Sequence, residues 1–378
     1  MARREKNWKT EYNQIKSLYR EEKKRSTMTT HERVSRMYQH KEADRVPLMD
    51  YAWQETVSRW RSEGLPTDDY YGYFDLDKTA YISLDNSPRY PVRVLEETEE
   101  YVVKTTPWGA TRRNWRTMTS TPENLSFLVD SPDKWLEAKA RMTTSDDRIP
   151  WDMLKKNYKT WREEGRWITG GFWFGFDITH SGMVGTETLL MAMLEEPEWC
   201  IDMFNHELDL DIALMNRVWE AGYHFDELHW YDDMGYKGTQ FFSIQLYRDL
   251  LKPVHQRAID WGHAHGVKVR LHSCGNINPF VPELVSMGLD ALNPLEVKAG
   301  MDPVAIKKQY GDQLVLHGGI NAALWEKPDE LIQEIEHVLP VLKENGGYIF
   351  ASDHSIPPQV SFADFTRVMD VYKRLGRY

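Results

Sequence analysis

His272-Ser273-Cys274 is the stretch of this chain in which residue type and spacing most directly suggest chemistry. Two residues apart in an extended segment, an imidazole and a thiol point the same way and can reach one ion. A neutral imidazole and a thiolate suit zinc, which takes nitrogen and sulfur ligands in a tetrahedron. The same spacing also fits a buried cysteine beside a hydrogen-bonded histidine, because free cysteine is among the most buried residue types. The pair ends a run, Val267-Lys268-Val269-Arg270-Leu271, that alternates as a strand does and breaks at Gly275-Asn276.

Position separates the two readings, and position depends on the elements around the pair. From Gly165 onward, strands and helices alternate. Strands are expected at Trp167–Phe172, Glu227–Asp233, Val267–Cys274, Ala291–Glu296, Leu314–Gly319 and Tyr348–His354. Helices are expected at about 184–195, 197–221, 243–265, 279–287, 303–309 and 328–344, with a last one from Phe362. Such alternation, with short turns, predicts parallel strands covered by helices. With Val46–Met49 and one more strand from the meandering segment 51–165, the count reaches eight, so the expected fold is an α/β (β/α)8 TIM barrel. A doubly wound open sheet is the alternative. Residues 1–40 read as a charged helical extension and 41–378 as one barrel domain. Thr30-His31-Glu32-Arg33 is a partial helix-start signal.

Polar residues collect at the C-terminal ends of these strands: Asp50, Asp232, Asp233, His272, Cys274, Asn293, Glu296, His317, Asp353 and His354. In a parallel barrel those ends form a single mouth, where catalytic groups gather. Asp233, Glu296 and His317 are candidate catalytic groups, although strand-end carboxylates and imidazoles also cap helices. Trp53, Trp173 and Trp230, with Asn276 and Asn293, are candidates to hold a substrate, since flat aromatic walls suit planar molecules.

Composition narrows the partners. With 58 acidic residues against 47 basic and a net charge of −11, a nucleic-acid partner is not expected. Two cysteines in 378 residues argue against a disulfide scaffold. The charged N-terminus lacks a signal-peptide core and no apolar run spans a bilayer, so a cytoplasmic protein without membrane contact is expected. A homodimer stays open.

Leu271-His272-Ser273-Cys274-Gly275-Asn276, Leu292-Asn293-Pro294-Leu295-Glu296, Gly300-Met301-Asp302-Pro303, Leu316-His317-Gly318-Gly319-Ile320 and Phe350–Pro358 together resemble the uroporphyrinogen decarboxylase superfamily. The likeness runs from about residue 165 to the end; before that it is confined to Asp44-Arg45-Val46-Pro47. It implies a (β/α)8 barrel. True decarboxylases of the superfamily hold their polyanionic substrate with an arginine-rich segment near the N-terminus. Here the matching stretch is Leu48-Met49-Asp50-Tyr51-Ala52-Trp53-Gln54, with no arginine before Arg59. The chain is more similar to the branch of cobamide-dependent methyltransferases, which carry zinc on a His-x-Cys pair and a later cysteine. The resemblance implies zinc on His272, Cys274 and, where the later cysteine would stand, His354. It further implies a separate corrinoid protein as partner and a small methyl donor or acceptor. The aromatic residues suggest O-demethylation of a methoxylated aromatic. The alternative is a metal-free decarboxylase or lyase with His354 and Asp233 as acid and base.

Overall fold

The structure, a computed structural model, describes residues 28–116 and 121–378; the charged segment before residue 28 lies outside the described residues. Strand β1 (Thr79–Ser83) is followed by β2 (Val94–Glu97), β3 (Tyr101–Thr105), β4 (Ala110–Trp115) and β5 (Glu123–Phe127), and then by β6 (Trp167–Trp173). Strands β7 (Glu227–Tyr231), β8 (Lys268–His272), β9 (Ala291–Asn293), β10 (Val315–His317) and β11 (Tyr348–Ile349) complete the set. One sheet of seven parallel strands runs β1-β6-β7-β8-β9-β10-β11.

The eighth position is taken by the extended residues 46–50. On one side the Met49 N–H donates to Phe350 O (3.0 Å) and the Phe350 N–H to Pro47 O (2.8 Å). On the other, the Asp77 N–H donates to Leu48 O (2.8 Å) just ahead of β1. Both edges of the seven-stranded sheet are thereby engaged, and the fold is the expected α/β barrel. The inserted segment supplies β1 to the barrel and sends β2 to β5 out as a separate antiparallel sheet.

Alternation along the strands decides what faces where. Val269 and Leu271 of β8 are fully buried in the main core cluster, between the barrel and its helices. The helix Pro197–Glu220 closes over the barrel with Met203, Phe204, Leu208, Leu214 and Val218 fully buried; each such side chain contributes about 1.5–3 kcal/mol. The expected helix over 243–265 is not uniform. Its turn Tyr247–Leu251 is π-helical, and the regular helix begins only at Lys252. Pro253 has no N–H to donate to Asp249 O, and the turn ahead of it widens.

The base of the barrel is plugged. The helix Thr30–Tyr38 opens with a capping box between Thr29 and Glu32, one residue earlier than the Thr30 start expected from sequence. Its Val34, Met37 and Tyr38 pack with Trp167, Ala291, Val315 and Ile349 in a second apolar cluster. Tyr38 stacks on Trp167 with ring centres 5.4 Å apart and donates its hydroxyl to Glu227 Oε2 at 2.5 Å.

Candidate metal centre at the barrel mouth

Above that plug the barrel holds a cavity of about 520 Å³, open at the C-terminal ends of the strands. Register brings the inward side chains level with one another. Tyr231 pairs with His272 and His272 with Asn293 near the top, and His229 pairs with Arg270 one layer down. Parallel pairing aligns residues with the same parity, so the period of two along each strand makes one lining out of these three strands.

At the top of this lining, the Nε2 of His272, the Sγ of Cys274 and a carboxylate oxygen of Asp233 lie within 4.8 Å of one another. His272 Nε2 is 3.3 Å from Cys274 Sγ and 3.7 Å from Asp233 Oδ1. Ligand bonds of about 2.0–2.3 Å in a tetrahedron put neighbouring ligand atoms about 3.3–3.8 Å apart, the spacing that His272 Nε2 already keeps from both Cys274 Sγ and Asp233 Oδ1.

The tautomer of His272 follows from its neighbours. Asn293 donates its amide to His317 O (3.1 Å), so its carbonyl oxygen faces His272, whose Nδ1–H donates to it at 2.5 Å. The Nε2 lone pair is thereby turned toward Cys274, as in metal sites where a further residue orients the ligating imidazole. The turn after β8 is pinned as well. The Cys274 N–H donates to Asp233 Oδ1 (2.7 Å) and the Gly275 N–H to Glu296 Oε2 (2.6 Å). Gly275 has φ +82°, and a Cβ there would lie 2.1 Å from the backbone of Gly235, so only glycine fits.

Charge at the mouth is one-sided. Burial, together with the carboxylates of Asp233, Glu296 and Asp177, pushes the Cys274 thiol well above its ordinary value. Burial and Asp177 push Asp233 up to about 8. Burial lowers His272 to about 4, so its ring is neutral. Thiol and carboxyl groups crowded this way hold their protons until a cation arrives, and this donor set fits a divalent metal.

The other predicted residues separate. Asp232 and Asp233 face opposite ways. Asp233 lines the cavity, whereas Asp232 turns into the core and accepts from the Asp177 N–H (2.7 Å), with its other oxygen 2.8 Å from His255 Nε2. His354 also lines the mouth, exposed, its ring 6.3 Å from that of Trp53, but it is not in the cluster of three donors. Asn293 and His317 line the cavity. Glu296 supports the turn and pairs with Lys298 at 3.2 Å. Asn276 accepts from the Asn278 N–H at 3.2 Å and does not line the cavity. Trp173 stands in a neighbouring cavity of about 440 Å³ that shares Tyr81 and Tyr231 with the first. Trp230 is fully buried against Phe174 and His255, on the helix side of β7, so it holds no substrate in this cavity. Sequence reasoning missed Arg270, His229, Tyr81 and Asp177. The first two share the inward parity of His272 and Tyr231, a signal that needs the register to be read.

Both cysteines are free, and no helix among the described residues is long and apolar enough to cross a membrane. No curated protein sequence matches the chain. Among solved structures, a methyltransferase from Methanosarcina mazei superposes with a TM-score of 0.62, covering 92% of this chain and 99% of that one at 15% identity. Likeness at that identity speaks to the fold, and the fold agrees. The family model for uroporphyrinogen decarboxylase (URO-D) matches residues 155–375, more than half of the chain and the part that carries β6 to β11 and every donor of the mouth cluster. On that match the chain belongs to the uroporphyrinogen decarboxylase family.

Proposed function

We propose that this chain is a zinc-dependent methyltransferase that moves a methyl group between a small substrate in the barrel mouth and a corrinoid carried by a separate protein. The observation behind this reading is the meeting of His272 Nε2, Cys274 Sγ and Asp233 in an acid-rich cavity. Zinc held there supplies a Lewis acid that makes a bound thiol or oxygen more acidic. In this reading Asp233 is the third ligand in place of His354.

The chain's own groups then have distinct tasks. Asn293 keeps the His272 proton on Nδ1, and Glu296 holds the turn that aims Cys274. Asp353 accepts from the Val297 N–H (2.8 Å) and the Ala322 N–H (2.7 Å), tying the segments after β9 and β10 together. Tyr81 and Tyr231 wall one side of the cavity, dividing it from the neighbouring one. His354, exposed at the rim, exchanges a proton between substrate and solvent.

A metal-free decarboxylase or lyase is the second reading. In its favour, a protonated Asp233 is a general acid already in place at neutral pH. Against a polyanionic tetrapyrrole, Arg270 is the single arginine or lysine among the lining residues.

Metal analysis combined with a methyl-transfer assay on free methylcobalamin decides the matter. About one zinc per chain, lost in Cys274→Ala together with transfer, is the expected result. A metal-free protein that catalyses decarboxylation and transfers no methyl group would replace the first reading by the second.

A further inference from the structure

Below the candidate metal ligands, the cavity ends on a layer of polar groups around Arg270. Arg270 gives Nε (2.8 Å) and Nη2 (2.7 Å) to one oxygen of Glu227. Glu227 also takes bonds from Tyr38, Trp167 and Thr169, on the side of the basal plug. Glu227 does not line the cavity and Arg270 does, so the guanidinium is the face that this ion pair turns upward.

Two histidines flank it. His229 is 2% exposed and its Nε2 has no hydrogen-bond partner; His317 is 6% exposed and its Nδ1 has none. Both line the cavity. The Nε2–H of His317 donates to Met49 O at 3.3 Å, which makes its Nδ1 a bare acceptor. The Tyr81 hydroxyl lies 3.4 Å from His229 Nδ1. With that hydroxyl donating, His229 carries its hydrogen on Nε2, a bare donor. Burial, with Arg270 next in importance, keeps both rings neutral. Buried polar atoms left unpaired are uncommon, and two of them around one cation indicate that a bound molecule completes them.

We infer that this floor is a subsite for a carboxylate. The substrate enters acid end first; Arg270 and the His229 ring N–H bind its carboxylate, and His317 Nδ1 accepts from a hydroxyl or amine beside it. A single cation already partnered by Glu227 suits a monoanion better than a phosphate dianion, which would meet Asp50 and Asp233 above with no second cation. The inference rests on the proposed function only for which end of the molecule faces the metal ligands.

The test is calorimetric titration of the full-length protein, zinc-loaded and zinc-stripped, with benzoate and with the neutral isostere benzamide. Benzoate is expected to bind at least about tenfold more tightly than benzamide in both forms. His229→Phe and the charge-neutral pair Arg270→Gln with Glu227→Gln should each weaken benzoate about tenfold or more with zinc content unchanged. The pair avoids leaving Glu227 buried without its cation, and His229→Phe introduces no charge at all. Equal affinities for the two probes, or variants that keep benzoate affinity, would overturn the subsite. So would benzoate binding that disappears with zinc, since the carboxylate would then sit on the metal. A protein that never holds zinc but still prefers benzoate would sink the metal reading and leave the floor standing.

Discussion

Asn293 Oδ1 accepts the Nδ1–H of His272 at 2.5 Å while the Asn293 amide donates to His317 O at 3.1 Å, so one side chain on β9 fixes the ring orientation of a residue on β8. Asn293→Ala leaves the imidazole free to turn and to change tautomer. Its zinc affinity should fall about 10–100-fold, with little effect on the fold. Competition against a chromogenic chelator measures the change, and an unaltered affinity would show that His272 is oriented by something else.

On the proposed function, the third zinc ligand is a choice between Asp233 and His354. Only Asp233 stands in the donor cluster, so Asp233→Ala should lose zinc, while His354→Ala should keep about one ion per chain and lose turnover. Metal content of the two purified variants gives the answer; zinc lost from His354→Ala alone would restore histidine as ligand.

Affinity for zinc should also rise with pH. Cys274 sits well above its ordinary value and Asp233 at about 8, so near neutral pH both carry a proton that the metal must displace, whereas His272, at about 4, carries none. Below pH 8 the affinity is expected to climb by up to about a hundredfold per pH unit. Proton release during zinc titration in buffers of different ionisation enthalpy reads this directly.

Behind the mouth, on the core side of Asp232, Glu207 is fully buried on the helix Pro197–Glu220 and its pKa is raised by burial from 4.5 to about 8. Thr179 donates to Gly175 O at 2.6 Å, and its hydroxyl oxygen lies 3.0 Å from Glu207 Oε1, the geometry of a protonated acid donating to Thr179. Because the folded chain keeps a proton that the unfolded chain releases, stability should fall as pH rises above 4.5 and level off above about 8. Glu207→Gln copies the protonated acid. It should be neutral near pH 5 and stabilising by about 2–4 kcal/mol near pH 8, read from urea unfolding at the two pH values.

Gly171 lies under the phenol of Tyr81, where a Cβ would fall 1.5 Å from the hydroxyl. Gly171→Ala should therefore expel Tyr81 from between the two cavities and cost about 1–3 kcal/mol. A thermal shift with no loss of stability would mean the ring moves freely.

The barrel was legible because its strands are apolar, short and regularly spaced, and each ends in a polar residue at the turn. His272 and Cys274 were legible because two residues on one strand share a face whatever the register. Asp233 as their partner was not, since its proximity depends on Tyr231 lying level with His272, which is a property of strand pairing. The same gap hid Arg270 and His229, and it misplaced Trp230, one residue out of phase with the inward Tyr231. The antiparallel sheet of β2 to β5 lies in the segment read as meandering, and its order was not legible because β2 and β5 are exposed almost throughout and β3 and β4 only partly buried, so no regular apolar face marks them.

The helix Thr30–Tyr38 stoppers the far end of the barrel with Val34, Met37 and Tyr38. Among the described residues, the cavity therefore meets solvent at the doorway formed by the strand ends, beside the neighbouring cavity. On the proposed function, a partner large enough to cover that doorway would impose an order of events: the small molecule would board before the partner docks and disembark only after it departs.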